Sequence, residues 1–175
     1  MSVTILKPGA TIPAWIDPRL SVYPSRLGGQ GLFAREVILT GERVIVWGGT
    51  IFSGAEILAG KANRESVAVL EEDLYLADPV DALPGEDYPL NHSCDPNVWM
   101  QDAVTLIARH TIGVGEELSA DYALWLYRQE WVMEPCLCGS ALCRGRITAE
   151  DWQLPELQKR YEGHFTPFLN RKIMG

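Results

Sequence analysis

The chain has 175 residues, 47% of them hydrophobic and 22% charged, with a net charge of −8. That length and balance suit one globular domain with a packed core, and no apolar run approaches the ~20 residues that span a bilayer. The acidic charge argues against sequence-independent nucleic-acid binding, which needs basic surface facing phosphate; it either steers a basic partner such as a lysine-rich peptide or simply aids solubility.

The start, Met1–Pro8, lacks the charged segment, apolar block and small-residue cleavage site of a secretion signal. The expected setting is therefore intracellular, cytoplasmic or nuclear, where thiols stay reduced. Pro8, Pro13, Pro18 and Pro24 make residues 1–24 an irregular or short-strand lead-in. Gly28, Gly29 and Gly31 then precede Leu32-Phe33-Ala34. Taken on spacing, such a run reads as a hairpin turn before it reads as a ligand loop. Val37–Leu39 and Val44–Trp47 read as short strands. Ser53 and Glu56 form a capping box that predicts a helix over 54–61, broken near Gly60. Strands are expected at Val67–Leu70, Leu74–Ala77 and Ala103–Ala108, a loop over Asp78–Leu90, and a turn at Ile112–Gly115. A helix is expected over Ala123–Met133. In the tail, Thr148–Asp151 is a second capping signature, Pro155 suits a first turn, and Leu154, Leu157 and Tyr161 share one helix face, with Gly163 as the stop. Many short strands with few helices predict a mostly-β or α+β domain.

Chemistry concentrates in Asn91-His92-Ser93-Cys94-Asp95-Pro96-Asn97, which holds one of four cysteines and one of three histidines. The other cysteines are Cys136, Cys138 and Cys143. In a reducing compartment C-x-C-x₄-C points to metal before disulfide. Together with Cys94 it makes the four soft ligands of a closed, structural zinc site. Zinc there would staple the later segment onto the Asn91–Asn97 loop.

Asn-His-Ser-Cys-x-Pro-Asn, then Gly115-Glu116-Glu117-Leu118-Ser119-Ala120-Asp121-Tyr122, then Cys-x-Cys-x₄-Cys-Arg-Gly, resemble a SET-domain protein-lysine methyltransferase with a post-SET zinc segment, over about residues 20–146. The resemblance implies small curled sheets with a knot-like substructure, divided as lead-in 1–20, SET domain 21–133, post-SET zinc segment 134–147 and a helical tail 148–175. It implies S-adenosylmethionine as methyl donor, held by Gly29, Gln30, Gly31, Asn91, His92 and Tyr122. It implies Tyr122 as the catalytic hydroxyl, and Trp47, Met100 and Ala120 beside the substrate lysine. Structural zinc falls to Cys94, Cys136, Cys138 and Cys143. The partner is a lysine-containing, basic protein or peptide, not nucleic acid or membrane.

The chemistry asks little of a general base. Lysine, with a pKa near ~10.4 in water, must shed its proton; burial and a nearby sulfonium both favour that, and in-line alignment supplies the rest. A tyrosine at a strand end is otherwise ordinary packing, and a lone histidine an ordinary satisfied polar group. This sequence also departs from the family pattern. Trp47 stands where a channel tyrosine is usual, Ala120 where Phe or Tyr is usual, and Thr148 where an aromatic often covers the adenine, a role Trp152 could take over. Two other readings stay open: a catalytically silent SET-like module that binds cofactor or peptide, and a small zinc-binding structural protein without cofactor.

Overall fold

Glycine and proline cut the apolar runs so short that strands of two to five residues result, and such strands gain stability only by pooling into several small sheets. The computed structural model describes residues 7–63, 66–82, 89–127 and 130–175. Elements are numbered in chain order. One antiparallel sheet runs β1 (Thr11–Ile12), β6 (Gly49–Ser53), β8 (Leu74–Ala77), β7 (Ala68–Glu71). A second runs β10 (Val98–Met100), β11 (Thr105–Ala108), β5 (Arg43–Val46), β2 (Trp15–Ile16). The lead-in is thus built into both sheets. Two antiparallel pairs join β3 (Leu20–Pro24) to β4 (Gln30–Ala34) and β13 (Val132–Met133) to β14 (Ile147–Thr148). Among the described residues the one parallel pair is β9 (Asn91–His92) with β12 (Ser119–Ala120). The helices are α1 (Gly54–Leu58), α2 (Pro155–Arg160) and α3 (Pro167–Met174), and none in the described residues is long and apolar enough to cross a membrane.

The main core gathers side chains from every part of the chain. Leu32, Val44, Leu106, Leu118 and Leu124 meet Leu157, Tyr161 and Phe165 from the tail, all nearly or wholly inaccessible. The Leu157–Tyr161 helix face therefore buries as its spacing predicts.

Several expectations need correction. No helix follows Ala123. A single 3-10 turn, Tyr122–Leu124, ends at Trp125, and the chain returns as β13; residues 128–129 lie outside the described part. The turn stops because the Leu124 carbonyl, which a helix would use internally, accepts from Thr166 N–H at 2.9 Å. Val37–Leu39 is no strand: Ile38 makes an isolated two-bond bridge to Ile112, and Leu39 already turns toward Glu42. The capping box at Ser53 is present with both reciprocal bonds, but α1 closes at Leu58. Thr148–Asp151 starts a 3-10 turn, Asp151–Gln153, rather than an α-helix. The tail carries two α-helices where one was expected.

Candidate active site

The glycine run is at once a hairpin and an open loop. β3 and β4 pair from Leu20↔Ala34 to Pro24↔Gln30, and Ser25–Gly29 forms the connection. Gly29 has φ +53, left-handed backbone that glycine adopts without a Cβ clash. Gly31 sits on β4, where a Cβ would lie 2.1 Å from Glu117 Oε1. That carboxylate is the loop's anchor. It accepts from Ser25 Oγ at 2.7 and 2.8 Å and from Asn91 Nδ2 at 2.7 Å. Asn91 Nδ2 also donates to the Gln30 carbonyl at 2.9 Å. Asn91, Glu117 and the Gly29–Gly31 segment thus form one unit, and the Asn91 side-chain oxygen takes no part in these bonds. Glu117 was not singled out by sequence, because its partners Ser25 and Asn91 lie 92 and 26 positions away.

His92 faces inward from the same parallel pair. Its ring is buried, and burial pushes its pKa down to about 4 against the pull of Asp121. It is neutral at pH 7. Tyr122 N–H donates to Nδ1 at 3.3 Å, so the ring proton belongs on Nε2, which lies 3.3 Å from Cys94 Sγ. Any ligand contact at this position therefore falls to the His92 backbone.

Tyr122 opens the 3-10 turn. Its hydroxyl donates to the Leu90 carbonyl at 2.8 Å, and burial raises the phenol pKa, so it stays protonated. Its ring lies 5.1 Å from His92, 5.3 Å from Trp125 and 5.5 Å from Trp131, centroid to centroid. Trp125 in turn meets Trp47 edge-on at 5.0 Å. Trp47, Trp125, Tyr122 and Trp131 form a half-buried aromatic strip. Trp125 and Trp131 lie in the stretch whose sequence predicts a helix, so their spacing does not mark them as part of a strip. Of the other channel candidates, Met100 and Ala120 are wholly enclosed in the main core. Trp152 packs against Tyr127.

The four cysteine sulfurs converge. Cys94, Cys136, Cys138 and Cys143 place their Sγ atoms within 4.8 Å of one another, and no disulfide joins them. A tetrahedron of thiolates ~2.3 Å from zinc has S···S edges of about 3.8 Å, so the group fits zinc with little adjustment. Burial opposes ionisation of Cys138, but hydrogen bonds to its sulfur from backbone and neighbouring thiols outweigh it and bring its pKa to about 7. Arg144 N–H and His92 both face Cys94 Sγ, as outer donors to a thiolate ligand do. Four protein sulfurs would leave a bound zinc no open position, the donor set of a structural rather than a catalytic site.

Next to this cluster Asp121 is fully buried and fully satisfied. Arg144 grips its carboxylate with both guanidinium nitrogens at 2.6 and 2.8 Å, Tyr161 OH donates at 3.1 Å, and Ala123 N–H caps onto it at 3.1 Å. Arg144 Nε also reaches Asp151 at 2.9 Å.

A family model described as SET domain matches residues 29–123. Among curated proteins, the histone-lysine N-methyltransferase described as H3 lysine-4 specific from Cryptococcus neoformans var. neoformans is 30% identical over 144 residues, covering 69% of this chain and 9% of that protein. Histone-lysine N-methyltransferase SETD1 of Drosophila melanogaster is 27% identical over 74% of this chain and 8% of its own length. SETD1B of Homo sapiens is 28% identical over 74% of this chain and 7% of its own. The chain thus spans less than a tenth of these relatives. Among solved structures, the methyltransferase domain of human SETMAR superposes with a TM-score of 0.59 at 23% identity, over 76% of this chain and 59% of that one. KRYPTONITE, in complex with mCHG DNA and SAH, gives 0.56 at 24% identity, over 74% of this chain and 29% of that one. These two likenesses establish the fold.

Proposed function

This chain belongs to the SET-domain family, and from that premise we propose that it transfers methyl groups from S-adenosylmethionine to lysine side chains of a basic, histone-like protein. The observation that carries the reading is the placement of Tyr122 in the aromatic strip, two residues past β12, the strand that pairs with Asn91 of the Asn91–Gly31 unit. When bound, S-adenosylmethionine supplies an electrophilic methyl group on a sulfonium. Asn91 and the Gly29–Gly31 segment offer it an open loop, a free side-chain oxygen and backbone groups, and His92 contributes backbone. The strip of Trp47, Trp125, Tyr122 and Trp131 excludes water from an entering lysine. Desolvation favours the neutral amine over the ammonium. The Tyr122 hydroxyl, a neutral donor and acceptor, orients the amine lone pair. A net charge of −8 favours encounter with a basic chain. Unpaired, clustered thiols suit a reducing compartment, nucleus or cytoplasm. Transfer of labelled methyl from S-adenosylmethionine into histones and other basic proteins tests the activity. Binding of the cofactor without transfer to any of them would mark a silent module.

Asn91→Ala is expected to weaken S-adenosylmethionine binding about tenfold, because one lost polar contact to a charged partner amounts to ~1.5 kcal/mol. Here the substitution also removes the Asn91 bonds to Glu117 and to the Gln30 carbonyl, leaving Ser25 as the loop's hold on Glu117. Calorimetric titration reads it, and an unchanged Kd would remove Asn91 from the cofactor site.

The product is expected to exceed monomethyllysine. Each added methyl needs volume around the amine; Ala120 carries a methyl group where the family usually has a ring, so although the core encloses it, no ring from this position crowds the amine. Trp47, the side chain best able to refill that space, is turned edge-on against Trp125. Mass spectrometry at long reaction times decides. A product halting at one methyl would mean that Trp47 or Met100 fills the gap, and Trp47→Phe would then open it.

A further inference from the structure

We infer that the C-terminal tail, residues 148–175, is a working part of the catalytic centre, because it clamps both ends of the turn that carries Tyr122. The inference rests on the methyltransferase reading. At the front of the turn, Asp121 caps Ala123 N–H, and Tyr161 of the tail donates its hydroxyl to the same carboxylate at 3.1 Å. At the back, Thr166 N–H of the tail donates to the Leu124 carbonyl at 2.9 Å. Tyr122 lies between these two grips. A 3-10 turn of three residues has almost no stability of its own, so its shape is set from outside.

The clamp also reaches the metal segment. Arg160 Nη1 donates to the Cys94 carbonyl at 3.1 Å, and the Tyr161 hydroxyl oxygen, whose proton goes to Asp121, lies 3.4 Å from the same carbonyl oxygen. Asp151 holds Arg144 Nε, which leaves the two terminal guanidinium nitrogens aimed at Asp121. Tyr161 has no exposed surface and Asp121 none, so their bond is not shared with bulk water. Buried bonds to a carboxylate fix geometry more firmly than exposed ones. Tyr161 and Thr166 are therefore positioning residues for Tyr122. They act through the turn and touch neither cofactor nor lysine.

Two substitutions isolate the clamp. Tyr161→Phe keeps the ring in the core and removes only the hydroxyl. Thr166→Pro breaks the grip at the back, removing the N–H and setting the ring Cδ against the Leu124 carbonyl it bonded; Thr166 has φ −54, within proline's range, and its own hydroxyl has no partner among the described residues. Each is expected to lower kcat about tenfold, since displacing a catalytic group by a fraction of an ångström is enough for that. The KM for S-adenosylmethionine should move less than about twofold, and zinc content should not change. Amide exchange at Ala123 and Leu124 should quicken about tenfold, a readout independent of activity. A tail acting only as structural support would lower the melting temperature of both variants yet leave kcat and these amides alone, and that result overturns the proposal. If one variant fails to fold, the other decides alone. Should the native chain transfer no methyl at all, the methyltransferase reading fails. The exchange rates then still test the clamp: faster exchange at Ala123 and Leu124 upholds it, and unchanged exchange overturns it.

Discussion

Tyr122→Phe is expected to cut methyl transfer by about two to three orders of magnitude, the typical effect of deleting one preorganised polar group at a reacting centre, while S-adenosylmethionine affinity stays within a few-fold. The structure makes this substitution unusually clean. The tyrosine ring is held by His92, Trp125 and Trp131, and a phenylalanine ring meets the same three neighbours. The backbone bond from Tyr122 N–H to His92 is untouched. What disappears is the hydroxyl and its bond to the Leu90 carbonyl. Loss therefore belongs in kcat, not in binding. Single-turnover kinetics with saturating cofactor measure it. A variant that keeps near-normal turnover would reduce Tyr122 to a packing residue.

Zinc removal is expected to have an effect of similar size by another route. We expect one zinc per chain in protein purified without chelator. Stripping it, or making Cys143→Ser, should abolish activity and lower the melting temperature by at least about 10 °C, because structural zinc contributes ~10–16 kcal/mol to folded metallopeptides and each kcal/mol shifts a domain of this size by about 2–4 °C. The local consequences explain the activity loss. Cys143 precedes Arg144, the bidentate partner of Asp121. Without metal the segment that presents Arg144 is held to Cys94 only by the weak Arg144 N–H bond to Sγ, and Asp121 becomes a buried carboxylate with a loosened partner. Metal analysis and calorimetry on the same sample give the test. Substoichiometric metal in active, reduced protein would sink the idea.

What could be read in advance was whatever chemistry is local in sequence. Ser53 and Glu56 cap each other three residues apart, so the start of α1 was legible. Leu74–Ala77 is bounded by turn residues and forms the strand expected. The cysteines announce themselves because thiols are scarce and their spacing is compact. Properties set by distant partners were hidden. Residues 123–133 carry apolar side chains at helical intervals, yet Thr166 takes the Leu124 carbonyl and Trp47 takes the Trp125 ring. Tertiary bonds overrode local propensity. α3 has only a faint sign in the sequence, Pro167 at its first turn. Tyr161 was legible as a buried helix-face residue, while its hydroxyl partner, 40 positions earlier, was not.

The bond between Arg160 and the Cys94 carbonyl closes a stretch of 66 residues, and this has a bearing on how the chain is made. A ribosome adding ~5–20 residues per second needs roughly 3–13 s to go from one to the other. During that interval the Asn91–Asn97 loop has emerged, but its metal partners and its tail have not. Leu118 and Leu124 lack the Leu157, Tyr161 and Phe165 side chains that cover them. The nascent chain therefore exposes this apolar centre until residues 157–165 have emerged, whereas a domain whose core closes between nearby residues seals it sooner.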